Sequence, residues 1–469
     1  MATATESDNR GSRPASPPGE GSLTIAPEDY SLLSDLYELT MAACYCGEGL
    51  DDRPASFELF VRKLPKNFGY LIAMGLAQAF EYLHNFRFTP EQISSLQSTG
   101  IFAKVSDKFW STLENARFTG DVWALPEGTA VFPNEPLLRV EAPFWQAQVV
   151  ETYLLNTLNY QTLVGTRAAR IRDVAGPSAT ILEFGTRRAF SPQGSMWGAR
   201  SAIAGGMNST SNVLAALKLG RKPSGTMAHS LVMALTATEG SEMQAFRAFH
   251  HYFPGAPLLI DTYDTVEAAR QLADRLLDGD MEVAGVRIDS GDLAKLSKQV
   301  KELLPDARIF VSGDLDEWEI AKLKAENCPI DGYGVGTKLV TGSPVNGVYK
   351  IVEIDGMPVM KKSSGKVTYP GRKQIFRRYE GGKQVGDRLG LASEEPQPGE
   401  TPMLQLLYRK GKPVHSPDTL EAIGDRTQNT VASLPDSARQ LDDPTPPPVE
   451  ISESLQALTQ KTQEKYNLL

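Results

Sequence analysis

A histidine near the middle of the chain, His229, is the residue whose type and setting most clearly suggest chemistry. It is one of five histidines among 469 residues and stands in the run Gly225-Thr226-Met227-Ala228-His229-Ser230. Imidazole titrates near neutral pH, so a histidine among small residues can transfer a proton or accept a phosphoryl group. A hydrogen-bonded structural histidine is the alternative. Thr226 and Ser230 favour the functional interpretation, because their hydroxyls could orient the ring or contact a phosphate.

Small and acidic residues end four further apolar segments downstream of His229. These segments are Leu259-Ile260-Asp261-Thr262, Val286-Arg287-Ile288-Asp289-Ser290-Gly291-Asp292, Phe310-Val311-Ser312-Gly313-Asp314 and Tyr333-Gly334-Val335-Gly336-Thr337. Parallel strands that end in such residues are typical of the mouth of an α/β barrel. Glycine lets backbone N–H groups approach a phosphate, and an aspartate can bind ribose hydroxyls. Together the strand ends predict a site for a phosphorylated sugar.

Arginines accompany the strand ends in two places. Arg287 interrupts an otherwise apolar strand, and burying it without an anionic partner would cost several kcal/mol. It therefore predicts an anionic ligand or neighbour. Arg187 and Arg188 follow the strand that ends at Glu183-Phe184-Gly185, where two guanidinium groups could bind an anion bidentately. A solvated arginine pair at a helix start is the alternative there.

Two further features could contribute to a site. Tyr37 lies in Asp35-Leu36-Tyr37-Glu38-Leu39-Thr40-Met41, a helix start in which the tyrosine could equally be a core or surface aromatic. A basic strip near the end of the alternating region could attract polyphosphate or simply form a solvated hairpin face. The strip consists of Lys361, Lys362, Lys366, Arg372, Lys373, Arg377 and Arg378.

Composition argues against several classes of protein. The net charge of −9 disfavours nucleic acid as the main partner, because a phosphate backbone requires a basic face. Three cysteines form neither a disulfide framework nor a paired zinc motif, which indicates a reducing cytoplasmic location and no protein-bound metal. No apolar run reaches the roughly 18 residues of a membrane span, and no signal-peptide pattern is present. P-loop and dinucleotide-binding fingerprints are also missing from the sequence.

The elements that position these residues alternate regularly. A long helix is predicted over 145–174, and apolar strands separated by helices are predicted near 179–184, 225–229, 257–261, 283–289, 308–313 and 331–335. Largely apolar strands with intervening helices indicate a parallel sheet. Six strands are too few for a regular eight-stranded barrel. The predicted fold class is therefore α/β, with an irregular, incomplete α/β barrel beside a second mixed α/β domain.

The predicted domain boundaries follow changes in composition and pattern. Residues 1–27 are rich in Ser, Pro, Gly and acidic residues and predict a disordered tail. The remaining segments are a mixed α/β domain over 28–145, the barrel domain over 146–345, and a hairpin with a C-terminal segment that returns to the first domain over 346–469.

Six motifs occur here in an order that resembles the nicotinate phosphoribosyltransferase family. They are Asp-Leu-Tyr-Glu-Leu-Thr-Met, Glu-Phe-Gly-x-Arg-Arg-Ala, Gly-Thr-x-Ala-His-Ser, Gly-Val-Arg-x-Asp-Ser-Gly-Asp-Leu, Gly-x-Gly-Thr and Gly-Val-Tyr-Lys-x-Val, between about Tyr30 and Lys373. The resemblance implies a type II phosphoribosyltransferase that works as a homodimer. It implies synthesis of nicotinate mononucleotide from nicotinate and phosphoribosyl pyrophosphate, with ATP hydrolysis coupled through a phosphohistidine and with Mg²⁺ accompanying the phosphates.

The resemblance also implies a role for each matched residue. For the base, it implies that Tyr37 and Phe184 stack on the ring and that Arg287, with Thr226 beside it, binds the carboxylate. For the chemistry, it implies that His229 is phosphorylated and that Asp289 lies beside the reacting ribose. For the sugar phosphates, it implies that Arg187 binds pyrophosphate, Gly313 and Asp314 bind ribose and phosphate, and Gly336 and Thr337 bind the 5′-phosphate. Because Tyr37 lies far in sequence from the barrel segments, we expect it to reach the ring pocket from the partner subunit. Some members carry a cysteine-rich metal site near the C-terminus, which is not expected here because no cysteine follows Cys328.

Three alternatives remain at this point. The nearest is phosphoribosyl transfer to nicotinamide rather than nicotinate. A lyase or isomerase acting on phosphosugars is another, although it would need a lysine or glutamate base where these strand ends offer histidine and aspartate. The third is a binding protein derived from a barrel enzyme, against which the joint presence of His229, Asp289 and Arg287 argues.

Overall fold

The computed structural model of the protein describes residues 23–277, 281–363 and 366–466. Residues 1–22, which make up most of the predicted disordered tail, lie outside the described residues. Within these ranges, no helix is both long and apolar enough to cross a membrane.

A seven-stranded antiparallel sheet forms the centre of the first domain. Its two central strands pair along most of their length, with Leu59 opposite Leu138, and their alternating side chains are almost all buried. The hairpin that follows the barrel segment adds to this sheet, because Tyr349 pairs with Leu59. In spatial order the strands are Met357–Pro358, Gly347–Ile354, Pro54–Val61, Pro136–Pro143, Asp121–Ala124, Gln405–Arg409 and Lys412–Pro413.

Helices cover this sheet and fill one large core with aromatic side chains. Tyr82 stacks on Tyr153 with ring centroids 4.1 Å apart, and Phe57 stacks on Tyr349 at 5.0 Å. Such pairs add to the stabilisation that burial of the rings provides. The helices of this part are a 3₁₀ turn at Pro27–Leu32 and α-helices at Leu36–Glu48, Leu76–Asn85, Pro90–Ser98, Asp107–Glu114 and Phe144–Val149.

The predicted long helix is two helices rather than one. Phe144–Val149 ends at Val150, and Glu151–Ala175 then continues into the second domain. The hydroxyl of Tyr349 donates to the carbonyl of Ala147 at 2.6 Å, and the Glu38 carboxylate accepts the N–H of Thr152 at 2.9 Å. These side chains form hydrogen bonds with backbone groups at the break between the two helices. Such contacts with distant residues cannot be seen in the periodicity of the sequence.

The second domain contains a six-stranded parallel sheet with helices around it. The sheet does not close into a barrel, which confirms the predicted fold class of an irregular, incomplete α/β barrel. In spatial order the strands are Ser209–Thr210, Thr180–Glu183, Gly332–Val335, Arg308–Ser312, Gly285–Ile288 and Leu258–Leu259. The helices of this domain after Glu151–Ala175 are Pro192–Ala204, Val213–Lys218, His229–Glu239, Glu242–Tyr252, Thr265–Leu277, Leu293–Leu303, Glu317–Ala325 and Thr337–Val340.

The predicted strand at 225–229 is wrong. Residues 225–228 form a segment without strand pairing, and His229 is the first residue of a helix. Ser224 donates its N–H to Thr210 at 2.9 Å, but no strand ladder continues beyond that single bond. Small residues in Gly225-Thr226-Met227-Ala228 permit an extended backbone without requiring a strand, so this part of the barrel wall is a loop.

The C-terminal segment adds a four-stranded sheet and returns to both domains. Its strands are Glu400–Pro402, Lys373–Glu380, Lys383–Leu391 and Val449–Ile451, and two-stranded sheets occur at Leu71–Ile72 with Ala130–Val131 and at Lys362–Ser363 with Lys366–Val367. Its helices are Leu420–Ser433, Asp436–Arg439 and Glu453–Lys465.

The basic strip predicted to attract polyphosphate is not a continuous charged surface. Lys373 is buried and pairs with Glu58 at 2.8 Å, and buried Arg377 pairs with Asp387 at 2.7 Å. Arg372 binds Glu141 and Glu353, each at 3.2 Å. Arg378 pairs with Glu450 at 3.6 Å, so carboxylates pair with four of the seven cations of the strip, and most of the strip is structural.

Candidate active site

One cavity of about 590 Å³ opens where the strands of the parallel sheet end. The carboxyl ends of parallel strands meet there, which is the usual place for ligands in such sheets. Of the eleven residues predicted from the sequence, ten line it. They are Phe184, Arg187, Thr226, His229, Arg287, Asp289, Gly313, Asp314, Gly336 and Thr337.

Arg287 supplies a largely buried positive charge to this cavity. Its Nη1 donates to the hydroxyl of Thr226, while its buried Nε has no hydrogen-bond partner among the described residues. Burial lowers the pKa of the guanidinium, and the nearby carboxylates of Asp289 and Asp261 act in the opposite direction. A planar cation with an unused donor is suited to binding a carboxylate.

An aromatic ring lies next to that cation. The guanidinium carbon of Arg287 is 5.9 Å from the centroid of the Phe184 ring. Phe184 begins the turn after the strand Thr180–Glu183, and its N–H donates to the carbonyl of Val335 at 2.8 Å. The same turn brings Arg187 and Arg188 to the cavity wall. A flat ring carrying an anionic substituent therefore has both a stacking surface and a cation here.

A second cavity of about 320 Å³ adjoins the first behind this pair. It shares five residues with the larger cavity, among them Phe184, Thr226 and Arg287, and is otherwise lined by residues such as Leu182, Pro223, Pro257 and Phe310. Phe184 and Arg287 thus separate the polar mouth of the site from a more apolar interior.

His229 occupies the N-terminal residue of its helix at the cavity edge. Its Nδ1 is hydrogen-bonded to the hydroxyl of Thr262 at 3.1 Å, which fixes the orientation of the ring. The free N–H groups and the dipole of a helix N-terminus favour a negative charge. A phosphoryl group on or near this imidazole would therefore be stabilised electrostatically.

Asp289 is held by two neighbouring strand ends. Its carboxylate accepts a hydrogen bond from the Ser312 hydroxyl, and its N–H donates to Asp261 at 3.1 Å. Gly313 has φ of 96°, and a Cβ there would lie 2.0 Å from the carbonyl oxygen of Asp289. Only glycine permits this approach, so the turn at Gly313 and Asp314 fits closely against the acid.

A short helix closes the cavity beside this turn. Gly336 is its N-cap and Thr337 its first residue, and both face the cavity. Arg167 holds the other end by donating to the carbonyls of Lys338 and Thr341. Backbone N–H groups at such a start can bind a phosphate.

Comparisons with known proteins identify the family of this chain. The family model of the nicotinate phosphoribosyltransferase N-terminal domain matches residues 32–159, the family's main model matches 179–311, and its C-terminal domain model matches 400–459. The nicotinate phosphoribosyltransferase pncB2 of Mycobacterium tuberculosis is 42% identical over 430 residues, which cover 88% of this chain and 89% of the relative. The chain belongs to the nicotinate phosphoribosyltransferase family. The resemblance inferred from the six motifs is thereby confirmed.

Two other relatives agree with this family assignment. The nicotinate phosphoribosyltransferase of Bacillus subtilis is 41% identical over 392 residues, with 78% of this chain and 77% of the relative covered. The crystal structure of human nicotinic acid phosphoribosyltransferase superposes with a TM-score of 0.80 at 29% identity, covering 91% of this chain and 99% of the human one. The three family models lie along both domains and the C-terminal segment, so the similarity is not confined to the barrel.

Tyr37 is the predicted site residue that does not line the cavity of this chain. It lies in the first turn of the helix Leu36–Glu48 with 44% of its surface exposed. Burial, together with the charge of the nearby Glu151 carboxylate, raises the pKa of the phenol.

A buried carboxylate fixes the helix that carries Tyr37. Glu38 accepts the hydroxyl of Thr152 at 2.6 Å and also bonds to Ser34, which ties the helix to the start of Glu151–Ala175. Burial raises the pKa of Glu38 from 4.5 to about 7. The folded protein therefore binds this proton more tightly than the unfolded chain does.

This shift predicts a pH-dependent stability. Because the pKa of Glu38 is higher in the folded state, the free energy of unfolding should fall as pH rises from about 4.5 to 7, by at most about 1.4 kcal/mol per pH unit from this group. Glu38→Gln removes the titration, so its urea-unfolding free energy should change less between pH 5 and 7.5 than that of the wild type. Parallel pH profiles for the two proteins would contradict the assignment.

Three residues near the reacting groups were given no role by the sequence. Asp261, Thr262 and Ser312 had been recognised as strand-end residues, yet the structure shows that they orient Asp289 and His229 through hydrogen bonds. Their position at strand ends was the available signal. Ser211 also lines the cavity, and nothing in its sequence context indicated this.

Proposed function

We propose that the chain transfers the phosphoribosyl group of phosphoribosyl pyrophosphate to nicotinate, giving nicotinate mononucleotide and pyrophosphate for NAD biosynthesis. The observation that carries the proposal is Arg287, a buried cation with an unused Nε donor beside the Phe184 ring and within the same cavity as Asp289. A carboxylated aromatic base satisfies the cation and the ring together, whereas nicotinamide offers no negative charge.

The residues of the cavity suit the charges of this transfer. The pyridine nitrogen attacks C1 of the ribose as the bond to pyrophosphate breaks, so positive charge develops on the sugar and then on the ring. Asp289 stabilises that charge electrostatically, and the face of Phe184 stabilises the pyridinium. Arg187 binds the leaving pyrophosphate, Gly313 and Asp314 bind the ribose, and Gly336 with Thr337 binds the 5′-phosphate.

His229 couples the reaction to ATP in this proposal. An imidazole nitrogen attacks the γ-phosphoryl group, an N–P bond forms, ADP leaves, and the displaced imidazole proton passes to solvent; water later hydrolyses the N–P bond and releases phosphate. The position of His229 at a helix N-terminus supports this phosphorylation, because a helix N-terminus stabilises the negative charge that the phosphoryl group adds. Coupling further requires that phosphorylated and free His229 stabilise different states of the surrounding loops.

Mg²⁺ is proposed to enter with the phosphates rather than to occupy a site made by the protein alone. Among the described residues, no group of three or more His, Cys, Asp or Glu side chains is placed to hold a metal ion. Mg²⁺ commonly takes one or two carboxylates plus substrate phosphates, and Asp289 and Asp314 are the acidic residues of the cavity wall. When bound, the ion would neutralise part of the charge of the leaving pyrophosphate.

Product analysis tests the proposed function directly. The purified protein is incubated with phosphoribosyl pyrophosphate and Mg²⁺, with nicotinate or nicotinamide, and with or without ATP. The expected result is nicotinate mononucleotide plus one equivalent of pyrophosphate, with faster formation when ATP is present. Preferential formation of nicotinamide mononucleotide would favour the nearest alternative, and no nucleotide from either base would contradict the proposal.

The position of Tyr37 makes a shared site between two subunits part of the proposal. If Tyr37 completes the ring pocket of the partner subunit in a homodimer, Tyr37→Ala and His229→Ala chains are each inactive in ATP-coupled synthesis for different reasons. Mixed heterodimers should then contain one complete site and recover part of the activity. Absence of recovery, after subunit exchange has been demonstrated by differently tagged chains, would place the whole site within one chain.

A further inference from the structure

Glu183 is a buried carboxylate beside the cavity that the proposed chemistry does not use. It ends the strand Thr180–Glu183, is 1% exposed, and forms no ion pair with a basic side chain in the described part of the chain. Burial raises its pKa, and hydrogen bonds from Thr210 and Gly185 act in the opposite direction. An ionisable group buried without a countercharge is costly unless hydrogen bonds compensate it.

Its two carboxylate oxygens bind two different segments. One oxygen accepts the N–H of Gly185 in the turn that follows its own strand, and the other accepts the hydroxyl of Thr210 at the end of the neighbouring strand Ser209–Thr210. The Gly185 turn carries Phe184, Arg187 and Arg188 to the cavity, and Ser211, which follows Thr210, also lines it. The carbonyl of Glu183 also accepts the N–H of Ser211 at 2.9 Å.

The packing around Gly185 leaves the turn little freedom to choose another path. A Cβ at Gly185 would lie 2.6 Å from a methyl of Val340 and 2.8 Å from the Glu183 carboxylate. The N–H groups of Arg188 and Ala189 both donate to the carbonyl of Gly185, at 2.8 and 3.0 Å. The position of the arginines therefore depends on where Glu183 holds Gly185.

We propose that Glu183 is a positioning residue that joins the Phe184–Arg188 turn to the end of the neighbouring strand Ser209–Thr210 and so sets the geometry of the ring and pyrophosphate subsites. This inference rests on the proposed function for the identity of the substrates, but the effect of Glu183 on the Phe184–Arg188 turn does not depend on that function. It acts through Phe184, Arg187 and Arg188 and does not itself contact substrate.

Thr210→Val tests the proposal because it keeps the shape of the side chain but removes the hydroxyl that donates to Glu183 and accepts the N–H of Asn212 at 2.9 Å. The buried oxygen of Glu183 then loses its donor. The expected result is a rise of roughly tenfold in the KM for nicotinate and for phosphoribosyl pyrophosphate, with a smaller change in kcat. Thr210→Ser keeps the hydroxyl and should restore both KM values. Glu183→Gln should weaken binding in the same direction as Thr210→Val.

Thr427→Val is the matched control. Thr427 is equally buried and donates to the carbonyl of Ala204 at 3.0 Å, but it lies on the helix Leu420–Ser433, away from the cavity. It should lower Tm as Thr210→Val does while leaving both KM values unchanged. If Thr210→Val and Thr427→Val lower Tm equally and both keep wild-type KM values, Glu183 has only a structural role.

Two measurements that need no turnover separate this inference from the proposed function. Inorganic pyrophosphate should bind Thr210→Val roughly tenfold more weakly than wild type by calorimetry, and amide hydrogen exchange over residues 184–189 should be faster in Thr210→Val than in Thr427→Val. If the wild type makes no nucleotide, the proposed function fails, yet the exchange rates still decide the role of Glu183. Amide exchange over residues 184–189 that is as slow in Thr210→Val as in the wild type would overturn the positioning role of Glu183.

Discussion

Arg287→Ala is expected to raise the KM for nicotinate by a factor that corresponds to about 2–5 kcal/mol, the usual cost of removing one partner of a desolvated charge pair. The KM for phosphoribosyl pyrophosphate should change little, because the residues assigned to its pyrophosphate, ribose and 5′-phosphate groups, such as Arg187, Gly313 and Thr337, are unchanged in the variant. The preference for nicotinate over nicotinamide should narrow in the variant, since the carboxylate would no longer meet a cation.

The stability of this variant gives an independent check. Burial disfavours the charge of Arg287 and lowers its pKa, whereas its hydrogen bond to Thr226 favours the folded state. Because Arg287→Ala removes both contributions, Tm should change little, while the loss of binding is large. Arg308→Ala, at the exposed beginning of the neighbouring strand, is the matched control and should leave both KM values unaltered. A wild-type nicotinate KM in Arg287→Ala would remove Arg287 from the carboxylate subsite.

Strand-end chemistry explains why so much of the site could be predicted from the sequence. Arg287 lies within an apolar strand, and Asp289, Gly313 and Gly336 follow the ends of apolar strands. Parallel pairing necessarily brings such strand ends together. Where pairing was absent, prediction failed. The small residues of segment 225–228, within a regular alternation of strands and helices, predicted a strand that runs into a loop at His229. The segment forms no ladder, and a helix begins at His229 instead.

Contacts between distant segments account for most of the remaining errors. Nothing local to Lys373 or Arg377 shows that Glu58 and Asp387 neutralise them, so a buried pair of cations looked like part of a basic surface. The break at Val150 depends in the same way on Glu38 and Tyr349, which lie over a hundred residues away along the chain. The family resemblance implied a ring-stacking role for Tyr37, but Tyr37 does not line the cavity of its own chain.

His229 is expected to form a phosphoryl adduct when the protein is incubated with ATP labelled at the γ-phosphate. The adduct should be labile in acid and stable in base, as a phosphoramidate is and a phosphoserine is not. His229→Ala should lose the label and the ATPase activity together. His415→Ala, an exposed histidine on a turn far along the chain, is the control and should keep both.

The same variant should retain slow transfer from phosphoribosyl pyrophosphate without ATP stimulation. Phe184, Arg287 and Asp289 still assemble the transfer site in His229→Ala, and what is lost is the change of loop state that phosphorylation brings about. His229→Asn retains some hydrogen bonding toward Thr262 but cannot form the same linkage to phosphorus, so it separates the ring's steric role from its chemistry. ATP-stimulated synthesis in either variant would contradict the coupling role. Loss of all transfer in both variants, even at saturating substrate, would instead make His229 part of the transfer step, because the hydrogen bonds that hold Asp289 do not pass through the imidazole.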